Sequence, residues 1–413
     1  MKRRIAITGL GLVSAAGQSP SAAFEAWCEG RSHIALHTLG EPPHQTQAPM
    51  ALCTDFDAAA LLGKPRLATM DRVSQLSTVA AQSAWQDAGL QALPDELKET
   101  SGVFWGTGGG GTHTTERSYR ELFVKGRARI SPLSVVLGMH NAAASHIALQ
   151  LGLGGDCLTY SVACASSAMA LGEALRRIQS GHMDVAIAGG AEASMPYGAI
   201  KAWESLQVMA KPGEDASTCC RPFHADRTGL VIGEGAAALV LEEWTHAQRR
   251  GATIYAELAG YGSSCDHTHL TTPDAAGQVR AIRQALRDAQ VEPQDIRYIN
   301  AHGTATSEGD PVEIQALGMV LGDHAPHTLV SSTKSMHGHL LGAAGAIEAL
   351  VTALAVHRRT VPPTANLNHV SQACMGVDHV TQAAREEPGL DVALSNSFAF
   401  GGSNAVLVFR AAA

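Results

Sequence analysis

Four short segments carry the residues with chemical potential. Cys164 lies in Tyr160-Ser161-Val162-Ala163-Cys164-Ala165-Ser166-Ser167, where a β-branched run gives way to small residues. Ala168, Leu171, Leu175 and Ile178 then recur at helical spacing and Gly181 follows as a stop, which predicts a helix over 165–179. A cysteine at a helix N-terminus meets unpaired N–H groups and the positive end of the dipole, an environment that favours a thiolate and offers hydrogen bonds to an oxyanion. The chemistry this suggests is nucleophilic attack by a thiolate; the alternative for a lone intracellular cysteine is a buried structural thiol. Asn300-Ala301-His302-Gly303-Thr304-Ala305-Thr306 places a His directly after a strand, on a loop whose Gly lets the backbone approach a ligand. Ser332-Thr333-Lys334-Ser335-Met336-His337-Gly338-His339 follows another strand, and Ser395 to Asn404, containing Phe398 and Phe400, is a Gly- and Asn-bearing turn between two strands. Singly, each is weak: a strand-end His serves the scaffold more often than catalysis.

The elements that must position these residues follow an α/β rhythm. Apolar strands are expected at 102–106, 158–163, 185–188 and 237–241, alternating with helices at 70–88, 165–179 and 245–250. From Ile254 the rhythm restarts, with strands at 254–258, 298–301, 329–332, near Leu394 and at 405–409, and helices at 277–289, 311–321 and 343–357. This reads as two similar halves, 1–252 carrying the Cys and 253–413 carrying the two His and the Lys, sharing one core. At the start, Arg4 to Thr8 reads as a buried strand ending in a tight turn at Gly9-Leu10-Gly11.

Composition narrows the class. The 413 residues are 45% hydrophobic and 16% charged with 42 Gly, the profile of a packed globular enzyme rather than a disordered chain. A net charge of −8 without a basic stripe argues against nucleic acid as a partner. No uninterrupted apolar run approaches the ~20 residues that cross a bilayer, and Met1-Lys2-Arg3-Arg4 does not lead into a signal-peptide core, so a cytoplasmic protein without a membrane partner is expected. The eight Cys include no C-x-x-C pair, and His267-Thr268-His269 and His337-Gly338-His339 lack further ligands, so neither a metal nor a cofactor is expected. Gly9-Leu10-Gly11 lacks the third Gly of a dinucleotide fingerprint, and Gly106 to Gly111 lacks the ending of a phosphate loop. Asp310-Pro311-Val312-Glu313 reads as an N-cap with Pro at N1 and Glu at N3.

Together and in this order, these segments resemble the chain-elongating β-ketoacyl-[acyl carrier protein] synthases, the type I and II ketosynthases of the thiolase superfamily. The likeness runs from Thr8-Gly9-Leu10-Gly11 through Arg221-Pro222-Phe223 and Gly233-Glu234-Gly235, and is most specific from Lys334 to Gly345. It implies an α/β thiolase-like fold of duplicated halves in a five-layer α-β-α-β-α arrangement, and decarboxylative Claisen condensation of an acyl thioester with malonyl-ACP in fatty-acid or polyketide elongation. By the resemblance, Cys164 accepts the acyl group, His302 and His339 stabilise the enolate as neutral donors, and Lys334 shapes the local field with Glu348 as buried partner. His339 separates this chain from chain-initiating and chalcone-type relatives, which carry Asn there, and from thiolases, which use a second cysteine. Thr271, Thr304, Thr306 and Phe398 resemble substrate-binding positions, Phe400 the gate that joins Cys164 in the oxyanion hole, and Gly109 an acyl-pocket wall that is bulkier in many members.

The same resemblance implies acyl carrier protein as partner, docking on Lys64, Arg66, Arg72, Arg127 and Arg129, and a homodimer or a heterodimer with a related subunit. Departures from the family pattern are Val162 and Ala165 beside the Ala-Cys pair, His337 where Thr is common, and Ala399 in place of Gly beside Phe400. Two rival readings are a non-catalytic chain-length factor, disfavoured because Cys164, His302, Lys334 and His339 are all retained, and a metal-dependent hydrolase built on the His pairs.

Overall fold

The computed structural model describes residues 2–193 and 195–412; Met1, in the basic start read from the sequence, lies outside them. The N-terminal half contributes β1 (Ile5–Val13), β2 (Gly102–Gly106), β3 (Cys157–Tyr160), β4 (Val185–Glu192) and β5 (Gly235–Glu243), in the spatial order β1-β5-β4-β2-β3. The C-terminal half contributes β6 (Ala256–Cys265), β7 (Tyr298–Asn300), β8 (Leu329–Ser331), β9 (Val392–Phe398) and β10 (Ser403–Arg410), in the order β6-β10-β9-β7-β8. The two orders are the same, and so are the directions. β1–β5 and β5–β4 are antiparallel while β4–β2 and β2–β3 are parallel; β6–β10 and β10–β9 are antiparallel while β9–β7 and β7–β8 are parallel. The duplication, faint in the sequence, is explicit in this topology. The halves meet where Ala6 pairs with Glu257 and Ile7 with Ala256, joining them into one 11-stranded sheet system.

Six helices complete the layers: α1 (Arg72–Asp87), α2 (Ala142–Leu151), α3 (Ser166–Gln179), α4 (Ala275–Ala289), α5 (Gly309–Leu321) and α6 (Ala344–Arg358). Val73, Leu76, Ala84 and Ile147 of α1 and α2 pack with Trp105, Ile187 and Val240 on one outer face. Ile282, Leu286 and Leu317 of α4 and α5 pack with Ile299, Val330 and Leu394 on the other. Between the halves, Leu171 and Leu175 of α3 and Ile347, Leu350 and Leu354 of α6 share one core with Leu239, Leu241, Ala393 and Leu407. The result is the α-β-α-β-α stack.

In α6 every residue from Ala344 to Val356 is buried, because the helix has a sheet on each side. The stretch Leu341–Arg358 is long and apolar enough to cross a membrane, yet 89% of it lies buried inside the protein, which identifies a core helix. Truncating Leu350 there to Ala would cost about 2–5 kcal/mol.

The glycines at the start of the chain do not form the expected turn. β1 continues through Gly9 and Gly11 to Val13, with only a bulge in its pairing between Ile7 and Gly9. A Cβ on Gly9 would sit 2.2 Å from the Ala84 carbonyl and one on Gly11 1.9 Å from the Ala80 carbonyl. Glycine lets α1 lie directly on the strand, a close-packing role. β6 repeats the device against α4, where a Cβ on Gly262 would lie 2.2 Å from the Ala281 carbonyl.

Candidate active site

The chemistry-bearing segments leave the carboxyl ends of parallel strands, where open α/β sheets present their ligand sites. Cys164 follows β3, His302 follows β7, Lys334 and His339 follow β8, and Phe398 and Phe400 close β9 and open the turn to β10.

Cys164 sits two residues before α3, on a turn forced by Ala163 at φ +47°, a left-handed conformation that is uncommon for a non-glycine residue. The turn is fastened by Val162 N–H donating to Ser166 Oγ at 2.8 Å and Ser166 Oγ–H donating to Ala163 O at 2.6 Å. The thiolate-favouring environment expected from the helix start is not what the structure presents. The Ala165 and Ser166 N–H groups are spent on the Val162 and Ala163 carbonyls, and Cys164 is only 7% exposed. Burial pushes its thiol up to about 12, against the opposing pull of the Lys334 charge and a hydrogen bond from the Phe400 N–H. The resting Cys164 side chain is a thiol.

His339 Nε2 lies 3.0 Å from Cys164 Sγ, and His339 Nδ1 accepts the Leu341 N–H at 3.2 Å. An acceptor at Nδ1 leaves the proton of the neutral ring on Nε2, so His339 donates N–H toward the sulfur. His302 faces it edge-on, with ring centroids 5.3 Å apart and planes at 84°. Both rings are held well below the ordinary imidazole range, by burial first and the Lys334 charge second, and are therefore neutral. One ligand-capable atom from each of Cys164, His302 and His339 lies within 4.8 Å of the others.

The loop carrying His302 is anchored by Glu313 on α5, whose carboxylate accepts the His302 and Gly303 N–H groups, both at 2.8 Å. Asn396 donates to the same carboxylate at 3.0 Å, and Ser332 Oγ–H donates to Gly303 O at 2.7 Å. Sequence reasoning assigned Glu313 only to a helix start; the missed signal is an acidic residue one turn into the helix that follows a catalytic-looking loop. Asp310, expected as the N-cap, lies inside the first turn of α5, which begins at Gly309. Its buried carboxylate, pushed up to about 7 by desolvation, accepts the Phe223 N–H at 2.7 Å and the Ala305 N–H at 3.1 Å, so its role is still structural.

Lys334 Nζ donates to Glu348 Oε1, both side chains fully buried. Burial pushes Glu348 up to about 7 even though Lys334 pulls it down.

A cavity of about 430 Å³ opens onto Cys164, His302 and His339, and Thr271, Thr304, Thr306, Phe398 and Phe400 line it too. Thr304 and Thr306 hydroxyls are 3.0 Å apart, Phe398 packs against the His302 ring at 6.1 Å, and Phe400 stacks on Trp203 at 6.2 Å. Gly109 is not among the lining residues. It borders a second cavity of about 590 Å³ with Thr112, Thr115, Tyr119, Phe123 and His140. Buried Glu192 accepts N–H groups from Gly108 at 2.7 Å, Gly109 at 3.2 Å and Gly342 at 3.1 Å.

Of the basic residues, Lys64, Arg66, Arg127 and Arg129 are exposed, with Arg127 paired to Glu121 at 2.6 Å. Arg72 is not a free surface cation: it forks onto Glu234 at 2.7 and 2.6 Å and onto the Cys53 carbonyl, an internal pairing that removes it from any docking patch. The H-x-H pairs do not act as pairs. His337 turns away from His339 to bond Thr333, and His269 Nδ1 accepts the Thr271 and Thr272 N–H groups at 3.1 Å.

Residues 2–247 match the model of the N-terminal domain of β-ketoacyl synthases and residues 255–368 that of their C-terminal domain. The chain is 41% identical over 413 residues to nodulation protein E of a Rhizobium species, covering 99% of this chain and 100% of that one. It is 39% identical to 3-oxoacyl-[acyl-carrier-protein] synthase 2 of Coxiella burnetii, covering 98% of each. Among solved structures, the ishigamide ketosynthase/chain length factor superposes with a TM-score of 0.92 at 33% identity over 100% of both chains. A type II ketosynthase solved with its acyl-carrier protein and a bound hexaketide gives 0.90 at 30% identity, also over 100% of both.

Proposed function

The chain belongs to the β-ketoacyl synthase family, and on that premise we propose that Cys164, His302, His339 and Lys334 carry out decarboxylative condensation of an acyl thioester with malonyl-ACP. The observation that carries the assignment is a buried thiol with neutral His339 donating N–H to its sulfur and neutral His302 beside it, at the head of a Thr- and Phe-lined cavity. In the first half-reaction Cys164 Sγ bonds to the acyl carbonyl carbon and the carbon–sulfur bond to the carrier's pantetheine breaks. The proton Cys164 gives up is the one the departing thiolate needs, so a resting thiol balances the exchange. The Cys164 and Phe400 N–H groups serve the developing oxyanion. In the second, malonyl-ACP loses CO2, the enolate oxygen accepts N–H bonds from His302 and His339, and the enolate carbon attacks the acyl-Cys164 carbonyl, expelling Cys164 as a thiolate that takes one proton from solvent to return to the resting thiol. Neutral rings suit this because they donate without adding a buried cation. Burial first, and second the charge of Lys334, held by Glu348, keep both rings neutral.

Thr304 and Thr306 are assigned to the pantetheine arm, with Thr271 and Phe398 beside it. An acidic carrier protein is the expected partner, docking on Lys64, Arg66, Arg127 and Arg129. Phe123, Val124 and Val135, exposed at 80, 62 and 72%, support an interface with a second copy or a related subunit along 119–139. The acyl chain, fatty or polyketide, is assigned to the Gly109 cavity, and a cytoplasmic location belongs to the same reading.

The test is intact-protein mass spectrometry after incubation with a panel of acyl-ACPs, followed by CO2 release from malonyl-ACP. A single acyl adduct mapped to Cys164 together with CO2 release supports the assignment; a purified chain that forms no adduct and releases no CO2 would be acting as a non-catalytic subunit. Charge reversal at Lys64 and Arg127 should raise the apparent KM for acyl-ACP and flatten its salt dependence, and unchanged kinetics across a salt series would remove them from the interface.

A further inference from the structure

His337 is 1% exposed, one residue from the backbone that aims His339, and the mechanism makes no use of it. Its ring meets Trp27 edge-to-face, with centroids 5.4 Å apart at 66°. Nδ1 lies 2.7 Å from Gly338 O and Nε2 2.9 Å from Thr333 Oγ1. A carbonyl can only accept, so Nδ1 carries the proton; in the neutral ring Nε2 must then accept, and Thr333 Oγ1–H is its donor. Asn300 Nδ2–H reaches the same hydroxyl at 3.5 Å. The polar contacts thus run in one direction, from Asn300 through Thr333 and His337 to the Gly338 carbonyl.

That carbonyl belongs to the Gly338–His339 peptide, whose N–H donates to Val231 O at 2.6 Å. Both polar ends of the peptide are therefore tied, one by the sheet-side backbone and the other by His337. The tie falls where the chain is softest, because Gly338 is at φ +70°, ψ −179°, a region open to glycine and closed to most residues. Rotation of this peptide would carry the His339 ring away from Cys164.

We infer that His337 is a positioning residue for His339, its imidazole clamping the Gly338–His339 peptide so that His339 Nε2–H points at the Cys164 sulfur. This deepens the function proposed above and rests on it for its kinetic readout only. Burial and the Lys334 charge push His337 down to about 3, so the donor–acceptor arrangement is constant across the working pH range.

The test compares His337→Phe, which keeps a flat ring against Trp27 and drops both hydrogen bonds, with His337→Asn, whose amide nitrogen replaces Nδ1, and His337→Gln, which reaches only toward Thr333. For each folded variant, kcat and KM for malonyl-ACP decarboxylation are measured, along with the pH profile of Cys164 alkylation by iodoacetamide, read by peptide mass spectrometry. His337→Phe and His337→Gln should lose on the order of 10- to 100-fold in kcat with KM within about twofold, the scale of a small misplacement of a reacting group. Their alkylation profile should shift, and His337→Asn should recover most of the loss. Wild-type kcat and an unchanged alkylation profile in His337→Phe would overturn the inference. If the Phe variant does not fold, equal behaviour of the Asn and Gln variants overturns it and a clear advantage of Asn upholds it. A wild-type protein that releases no CO2, with variants that still shift the alkylation profile, would defeat the proposed function while leaving the positioning role in place.

Discussion

Cys164 and His339 are 175 positions apart in the chain and 3.0 Å apart in space, and the roles assigned to them separate by half-reaction. Cys164→Ala removes the sulfur assigned to take the acyl group, so no adduct should appear by mass spectrometry; an adduct with normal elongation would sink the assignment. His302→Ala or His339→Ala removes one N–H from a buried oxyanion, which typically costs about 10²- to 10³-fold in rate. Decarboxylation should fall by that order while part of the first acyl transfer survives. Normal CO2 release by both variants would end the proposed division of labour.

At the scale of elements, the site depends on helices that hold loops by their carboxylates. α5 supplies Glu313 to the His302 loop, and α6 supplies Glu348 to Lys334. The Lys334–Glu348 pair is fully buried, so removing one partner alone leaves the other without its counter-charge in the core. Lys334→Met leaves a carboxylate without its cation in the core and should cost about 3–5 kcal/mol in urea unfolding, whereas adding Glu348→Gln should return part of it. A single variant as stable as wild type would show that Glu348 is satisfied without the lysine. α3, α5 and α6 appear within a residue or two of expectation; α3 has a clear apolar spacing, whereas α6 is buried all round and is read from its apolar composition. The hairpin Ala35–Glu41 with His44–Ala51 and helix α2 carry weaker patterns and were not expected.

For the whole molecule, burial of titratable groups sets a pH signature. His337 titrates at about 3 when folded and at the ordinary imidazole value of about 6.5 when unfolded, so between these values the unfolded chain binds more protons. Stability present above about 6.5 is therefore lost as pH falls through that window, by up to about 1.4 kcal/mol per pH unit for one such group. His302 and His339 act in the same direction, whereas Glu348 and Asp310, pushed up, act oppositely, so the comparison must be differential. Urea unfolding from pH 7 to 5 should show a shallower loss in His337→Phe than in wild type; parallel slopes would mean that His337 protonates in place. The cavities give a second whole-molecule expectation. If the acyl chain occupies the Gly109 cavity, Gly109→Ile should depress acylation by long chains far more than by short ones, since overpacking costs on the order of 1–3 kcal/mol. An unchanged chain-length profile would place the acyl tail elsewhere.

The sequence by itself determined the α/β rhythm, the restart near residue 254 and the four strand-end segments, because hydrophobic period and turn chemistry are local properties that a linear reading can measure. Tertiary structure alone decided the rest. Whether Gly9 and Gly11 turn the chain or admit a helix depends on what packs above them, and Ala80 and Ala84 come from a distant segment. Whether Arg72 faces a partner or an internal carboxylate depends on Glu234, 162 positions away. The protonation of Cys164 and the tautomers of His339 and His337 depend on burial and on acceptors such as Gly338 O and donors such as Leu341 N–H. Desolvation and hydrogen-bond direction arise only once the strands have assembled, so residue types announce which atoms can react and packing decides in which state they wait.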